Sequence, residues 1–199
     1  MPPKFYLNSD HRCAQTTIKC VLGNNNLSWK YLDRVMGVDK DQIISPIQIA
    51  FCLQRIGVDF IYPVKALFLE DDFNLIKTET RIFFGDENYQ KTNFDFIKSA
   101  RLELIRSGKY LECDGIDMKK IKLFIDNGRI PICLINYDIY INREDKKRGH
   151  YLIILNTLDD IVDVMDTGPS DASPNKRISI KRLERSLVHT PIDYGIIFV

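Results

Sequence analysis

Three residues that lie far apart in the sequence have the chemistry of a nucleophile, a base and an orienting acid: Cys13, His150 and Asp166. A cysteine attacks carbonyl groups as a thiolate, and the first turn of a helix stabilises that form because its unpaired N–H groups favour negative charge. Cys13 is the one cysteine that the sequence pattern places in such a turn. Considered alone, it also fits a small apolar residue at the edge of a buried helix face. A catalytic role therefore requires a base nearby.

A predicted β-hairpin positions His150 and Asp166. His150 opens an apolar run over residues 150–155, and the next run, residues 161–165, leads directly to Asp166. With a turn centred on Leu158, the two residues lie eight positions to either side and face each other on the same side of the ladder. A carboxylate that holds an imidazole selects its tautomer and stabilises the imidazolium. Without this pairing, His150 is a strand-end residue and Asp166 a turn residue.

Other polar residues compete for these roles. Three further acids are alternative partners for the histidine, although loop positions also explain them: Asp159, Asp160 and Asp171. His11 and Cys20 lie near Cys13 in the sequence, yet these three residues do not complete the four ligands of a closed zinc site. No glycine pattern indicates a P-loop or a dinucleotide-binding turn, which disfavours an ATPase or a dehydrogenase. We therefore predict neither a metal nor a cofactor.

Composition disfavours several classes of function. The 199 residues carry 28 basic and 27 acidic side chains, a formal net charge of +1, so no global field attracts nucleic acid. No apolar run approaches the roughly 20 residues that span a bilayer, and the amino terminus lacks a signal-peptide pattern. Five scattered cysteines without a CxxC pair argue against a disulfide framework. We therefore expect a cytoplasmic protein without nucleic-acid partners or membrane insertion, with its oligomeric state open.

The secondary-structure pattern predicts helices first and strands later. Helices are predicted over about residues 11–22, 28–36, 45–57, 94–106, 116–127 and 180–188, with Asn8, Ser9 and Asp10 supplying caps for the first. Strands or extended segments are predicted over about residues 58–64, 130–135, 150–155, 161–165 and 194–199. Residues 66–108 are less regular apart from the predicted helix. We therefore predict a single α+β domain, mainly helical over about residues 1–128 and mainly antiparallel sheet over residues 129–199.

Four segments, in this order, resemble the double-glycine (bacteriocin-leader) peptidases of the papain-like cysteine peptidase clan: HRCAQTTIKCVLG, GRIPICLINYD, RGHYLIILN and DIVDVMDTGP. The resemblance implies a papain-like fold with a helical part packed on an antiparallel sheet. It also implies a Cys-His-Asp triad formed by Cys13, His150 and Asp166. The implied reaction is cleavage of a peptide or amide bond through an acyl-enzyme, with a peptide or protein substrate that has small residues before the cut.

The oxyanion hole departs from the family pattern. The family usually places a glutamine six residues before the cysteine, and this chain has Leu7 there. Asn8 offers the same amide group one residue later, together with the backbone N–H of Cys13, and Gln15 is a weaker substitute inside the helix. Two alternatives to hydrolysis stay open: an acyl or peptidyl transferase with the same triad, and a catalytically inactive papain-like binding module.

Overall fold

The chain adopts the predicted α+β class, with most helices ahead of the main sheet. The computed structural model describes residues 2–8, 12–24, 26–39, 42–70, 73–143, 148–168, 172–190 and 192–199. The helices are α1 (Cys13–Leu22), α2 (Trp29–Met36), α3 (Pro46–Arg55), α4 (Phe73–Gln90), α5 (Phe94–Ser107), α6 (Met118–Asp126), α7 (Tyr137–Tyr140) and α8 (Ile180–Ser186). The strands are β1 (Pro63–Val64), β2 (Leu111–Glu112), β3 (Pro131–Asn136), β4 (Gly149–Leu158), β5 (Ile161–Asp166), β6 (Ser173–Ser179) and β7 (Ile196–Phe198). Within these ranges, no helix has both the length and the apolar surface needed to cross a membrane.

An antiparallel five-stranded sheet, in the order β6-β5-β4-β3-β7, lies at the centre of the described part. Strands β3 to β6 pair with their neighbours in sequence, and β7 pairs with the free side of β3. β1 and β2 form a separate, short parallel ladder. Alternate residues of a strand point to opposite faces, so the central sheet has two apolar sides to cover.

Helices cover both faces of this sheet. One core joins apolar side chains of α1, α3 and α5 to residues such as Leu134 and Ile153. A second core joins α6 and α8 to the alternate residues, among them Cys133 and Leu152. The sheet is therefore a middle layer, and the packing of the first core brings α1 against β4.

Among the described residues, no side chain caps the start of α1. Arg12 occupies the N-cap position and makes no capping hydrogen bond with its side chain. The predicted cap by Asn8 is therefore wrong, while Ser9 and Asp10 lie outside the described residues.

Four elements were missed by the sequence pattern: the helices α4 and α7 and the strands β2 and β6. α4 lies in the segment described as less regular, because it is broken at Gly85, whose φ of 79° and ψ of 170° favour glycine. Such a break interrupts the 3.6-residue apolar period by which a helix is recognised in a sequence. β6 is an edge strand with several exposed polar and charged residues. Such residues prevent pairing with other chains, but they lack the apolar alternation by which a strand is predicted. Conversely, the extended segment predicted over residues 58–64 contains only the short β1 as regular strand.

Candidate active site

The register between β4 and β5 brings His150 and Asp166 together. The predicted register, with His150 directly opposite Asp166, is wrong, because the partner of Asp166 is Leu152. The ladder shifts by one residue between Ile154 and Asn156. Without this β-bulge, Asp166 would lie opposite the residue after Leu152, and His150 would project from the other face of the sheet. The bulge therefore places the two side chains diagonally on one face.

The imidazole of His150 lies between Cys13 and Asp166. Its Nε2 is 2.9 Å from Oδ1 of Asp166, and its side chain also forms a hydrogen bond with the thiol of Cys13. Because Nε2 faces the carboxylate, Nδ1 is the nitrogen left for the sulfur. His150 is only 4% exposed and Asp166 is fully buried, so water competes little for these contacts. The structure thus brings together the three residues that the sequence singled out.

The environment of Cys13 favours its thiolate. Burial of the sulfur raises the pKa of Cys13, but the hydrogen bond and charge of His150 lower it. The backbone N–H groups of Tyr151 and Ala14 also donate to the sulfur. The net result is a pKa of Cys13 below its ordinary value, as expected for a thiol at a helix amino terminus beside an imidazole.

The pKa values of His150 and Asp166 shift in the matching directions. Burial lowers the pKa of His150, but hydrogen bonds to Asp166 and Cys13 and the charges of both raise it to about 9. Burial raises the pKa of Asp166, whereas the hydrogen bond and charge of His150 lower it, with a net decrease. A thiolate, an imidazolium and a carboxylate therefore stabilise one another in this site.

The other buried thiols have the opposite tendency. Burial raises the pKa of Cys20 to about 11 and that of Cys52 to about 12. Burial likewise raises the pKa of Cys133. Since the thiolate is the reactive form, the environment separates Cys13 from these three residues as a nucleophile.

Gly168 supports the carboxylate of Asp166 and was missed by the sequence reasoning. Its backbone N–H donates to Oδ1 of Asp166 at 2.8 Å, the same oxygen that faces His150. A Cβ atom on Gly168 would lie 2.8 Å from that oxygen and 3.3 Å from Nε2 of His150. The glycine in the DTG segment is the signal that could have indicated this close approach.

Replacing Gly168 with alanine is expected to displace the Asp166 carboxylate and weaken its hydrogen bond to His150. The added methyl group overpacks a buried site, so the free energy of unfolding should fall by about 1–3 kcal/mol. The rate of Cys13 alkylation near neutral pH should fall as well. Urea denaturation and mass spectrometry of labelled peptides measure the two effects. Gly115→Ala is the matched control, since a Cβ there meets no atom within 4 Å; equal behaviour of the two variants would contradict the expectation.

The two oxyanion candidates lie in different surroundings. Asn8 donates its backbone N–H to the carbonyl of Thr167 at 3.3 Å, which places it beside the residue that follows Asp166. Its amide oxygen is buried and accepts no hydrogen bond within the described part of the chain. Gln15 donates its amide N–H to Asp33 at 2.7 Å, so its side chain is directed toward α2. Asn8 is thus tied to the residue after Asp166, whereas the Gln15 side chain is tied to α2.

Of the remaining candidate acids, the two that the structure describes stand apart from this site. Asp159 and Asp160 form the exposed turn of the β4–β5 hairpin. His11 and Asp171 lie outside the described residues. Within the described ranges, no three side chains of His, Cys, Asp or Glu lie close enough together to hold a metal ion.

A cleft of about 240 Å³ opens beside Cys13. The segment of residues 42–44 forms one wall, and the side chains of Phe84 and Asn88 on α4 form another. Tyr151, directly after His150, donates its hydroxyl to the carbonyl of Ile44 at 2.8 Å and so fixes the first wall to β4. The sequence analysis identified no motif in either wall, although residues 64–111, which contain Phe84 and Asn88, were expected to line a substrate groove.

Arg148 stabilises the start of β4 at the edge of the cleft. Its guanidinium and its backbone N–H bind the carboxylate of Asp138, with the shortest contact at 2.6 Å. Asp138 is fully buried in α7, next to the end of β3. This ion pair holds the backbone just before His150, which helps to fix the position of the imidazole.

The geometry defines a nucleophilic thiol site on an α+β scaffold. A thiolate beside an imidazolium that a buried carboxylate orients can attack an electrophilic carbon and then transfer protons around it. Comparison of the chain with known proteins finds no matching family model, curated protein or solved structure. Its function is therefore inferred from the residues and geometry of the cleft.

Proposed function

We propose that this chain is a papain-like cysteine peptidase, a thiol hydrolase of the double-glycine type, that cleaves a peptide or amide bond. The observation that carries the proposal is the position of His150 between the Cys13 thiol and Asp166, with 2.9 Å between Nε2 and Oδ1. A cysteine at the start of a helix, packed on an antiparallel sheet that carries the histidine and the acid on neighbouring strands, also supports a papain-like fold.

The first half of the proposed reaction forms an acyl-enzyme. The Cys13 thiolate attacks the carbonyl carbon of the substrate, and a C–S bond forms while the carbonyl oxygen becomes an oxyanion. The backbone N–H of Cys13 and the amide of Asn8 donate to this oxyanion, each such donor contributing roughly 3 kcal/mol. The C–N bond then breaks, and the His150 imidazolium gives its proton to the leaving amine.

The second half returns the enzyme to its starting state. Neutral His150 removes a proton from water, and the hydroxide attacks the thioester carbon. The C–S bond breaks, the acid product leaves, and the thiolate and imidazolium form again. Asp166 keeps the imidazole in one orientation and stabilises its charge throughout both halves.

Digestion of a peptide library by the wild-type chain tests this proposal. We expect new peptide termini, detected by mass spectrometry, that share small residues before the cut. Cys13→Ala should produce none of them, because it lacks the nucleophile. An absence of cleavage in the wild type would contradict the proposal and favour a binding module with a papain-like scaffold. Equal cleavage in Cys13→Ala would also contradict it, because the activity would not depend on the proposed nucleophile.

The same experiment separates hydrolysis from acyl transfer. Hydroxylamine competes with water for a thioester, so its addition should convert part of the acid products into hydroxamates. A hydrolase forms acids freely in its absence. Products that appear only when an amine acceptor is added would indicate a transferase with the same triad instead.

A further inference from the structure

A second cavity adjoins the Cys13 cleft, and Ile43, Phe84 and Leu134 line both spaces. This second cavity is an apolar space of about 40 Å³, lined by side chains that include Ile76, Phe83 and Ile192. Phe84 borders both spaces, whereas Phe83 borders only the second. The two cavities are thus neighbours, and the Phe84 ring is the largest of the three side chains between them.

The backbone around Phe84 holds the ring in this position. A Cβ on Gly149 would lie 2.7 Å from Cε1 of Phe84, so the ring packs directly on the backbone before His150. The helix breaks at the next residue, Gly85, in a backbone conformation that favours glycine. Asn88 donates its side-chain N–H to the carbonyl of Phe84 at 2.8 Å, which fixes the broken turn.

We infer that Phe84 is a specificity-determining residue of the proposed peptidase. Its ring limits the size of the substrate group that fits next to Cys13. Removal of the ring joins the cleft to the apolar cavity and creates a subsite for a large apolar side chain, because the walls of that cavity are mainly aliphatic and aromatic. This inference rests on the proposed function, since it assigns the site of substrate selection in the same cleft.

Two alkylating reagents of different size test the inference without a known substrate. The rate of Cys13 labelling is measured with iodoacetamide and with N-benzyliodoacetamide, and the ratio of the benzyl rate to the iodoacetamide rate is compared between variants. We expect Phe84→Ala to raise this ratio about tenfold or more, since an apolar pocket discriminates between groups of different size by that order. Phe84→Leu, which keeps part of the apolar bulk, should give a smaller rise in the same direction.

Phe83→Ala is the matched control, because it enlarges the second cavity and leaves the Phe84 ring in place. Its ratio should equal that of the wild type. An unchanged ratio in both Phe84 variants, or the same rise in Phe83→Ala, would overturn the inference. Thermal unfolding of each variant shows that the compared chains are folded.

The failure of this inference differs from the failure of the proposed function. Near pH 9.5, a large share of any accessible thiol with an ordinary pKa of about 8.5 is ionised, so the ratio there reports size alone. Suppose that the Phe84 variants change the ratio of labelling rates at pH 9.5, but Cys13 is not labelled selectively near pH 6. Phe84 would then still be the size-limiting residue, and the proposed activation of the Cys13 thiol would be wrong. Selective labelling of Cys13 near pH 6 with an unchanged ratio in the Phe84 variants would support the activated thiol and contradict the role of Phe84.

Discussion

His150→Ala is expected to lower the rate of Cys13 alkylation by iodoacetamide near pH 6 by about 30-fold or more. In the wild type, the imidazole holds the pKa of Cys13 below its ordinary value against the opposing effect of burial. Without it, burial dominates and the thiolate becomes rare, since a thiol with a pKa of about 8.5 is only about 0.3% ionised near pH 6. A thiolate with a low pKa is also a weaker nucleophile. The ratio of the wild-type rate to the His150→Ala rate is therefore smaller than the ratio of their ionised fractions.

The measurement is the labelling rate of Cys13 against pH, with the modified residue identified by mass spectrometry. In the wild type, the labelling rate of Cys13 should rise at a pH below that of an ordinary thiol, because its pKa is lowered. In His150→Ala, the rate should rise only at higher pH. His189→Ala is the matched control, because it removes an exposed histidine and should leave the profile unchanged. Cys113, a half-buried thiol, is the reference within the same chain. Equal profiles of wild type and His150→Ala would remove the activated thiol and with it the proposed peptidase.

Asp166→Ala is expected to lower the rate of peptide cleavage by about 100-fold or more, because the base then loses its orientation and its charge partner. Asp166→Asn should lower the rate of peptide cleavage much less than Asp166→Ala does. Oδ1 of Asp166 accepts the backbone N–H of Gly168 and faces Nε2 of His150, and an amide oxygen can make both contacts. The difference between the two variants therefore separates orientation from charge. Cleavage kinetics with a peptide from the library digestion measure both.

The pH profile of Asp166→Asn has a defined direction. The carboxylate raises the pKa of His150, which reaches about 9 in spite of the opposing effect of burial. A neutral amide removes this charge, so the pKa of His150 falls and the imidazolium is lost at lower pH. Because the leaving amine takes its proton from the imidazolium, the alkaline limb of the cleavage profile should move to lower pH. The assigned role of Asp166 would be contradicted if the pH profile of cleavage were unchanged in both variants and Asp166→Ala cleaved the peptide at the wild-type rate.

Much of the fold follows from local sequence patterns. The capping box of Ser45 and Gln48, with Pro46 in the first turn, defines the start of α3. Gly37, in the left-handed conformation, ends α2. Because such signals act within a few residues, they gave the bounds of these helices closely. The α+β class and the positions of the other main strands along the chain follow from the same kind of local evidence.

The residues of the candidate site also came from the sequence, since cysteines, histidines and strand ends are visible in it. The contact between His150 and Asp166 was also predicted, but the strand register that produces it was not. The predicted register would have worked with a regular hairpin centred on Leu158, whereas the observed turn lies at Asp159 and Asp160 and is followed by a bulge. Two deviations from the prediction thus compensate each other, and the imidazole still reaches the carboxylate.

The sequence by itself determined which side chains carry reactive groups and which helices and strands hold them, because propensity, capping and periodicity act over a few neighbouring residues. Only the tertiary structure decided the register of β4 on β5, the use of Gly168 as a support for Asp166, and the position of Phe84 against Gly149. These features depend on contacts between segments far apart in the chain. Packing in three dimensions selects such contacts, and no short window of sequence records them.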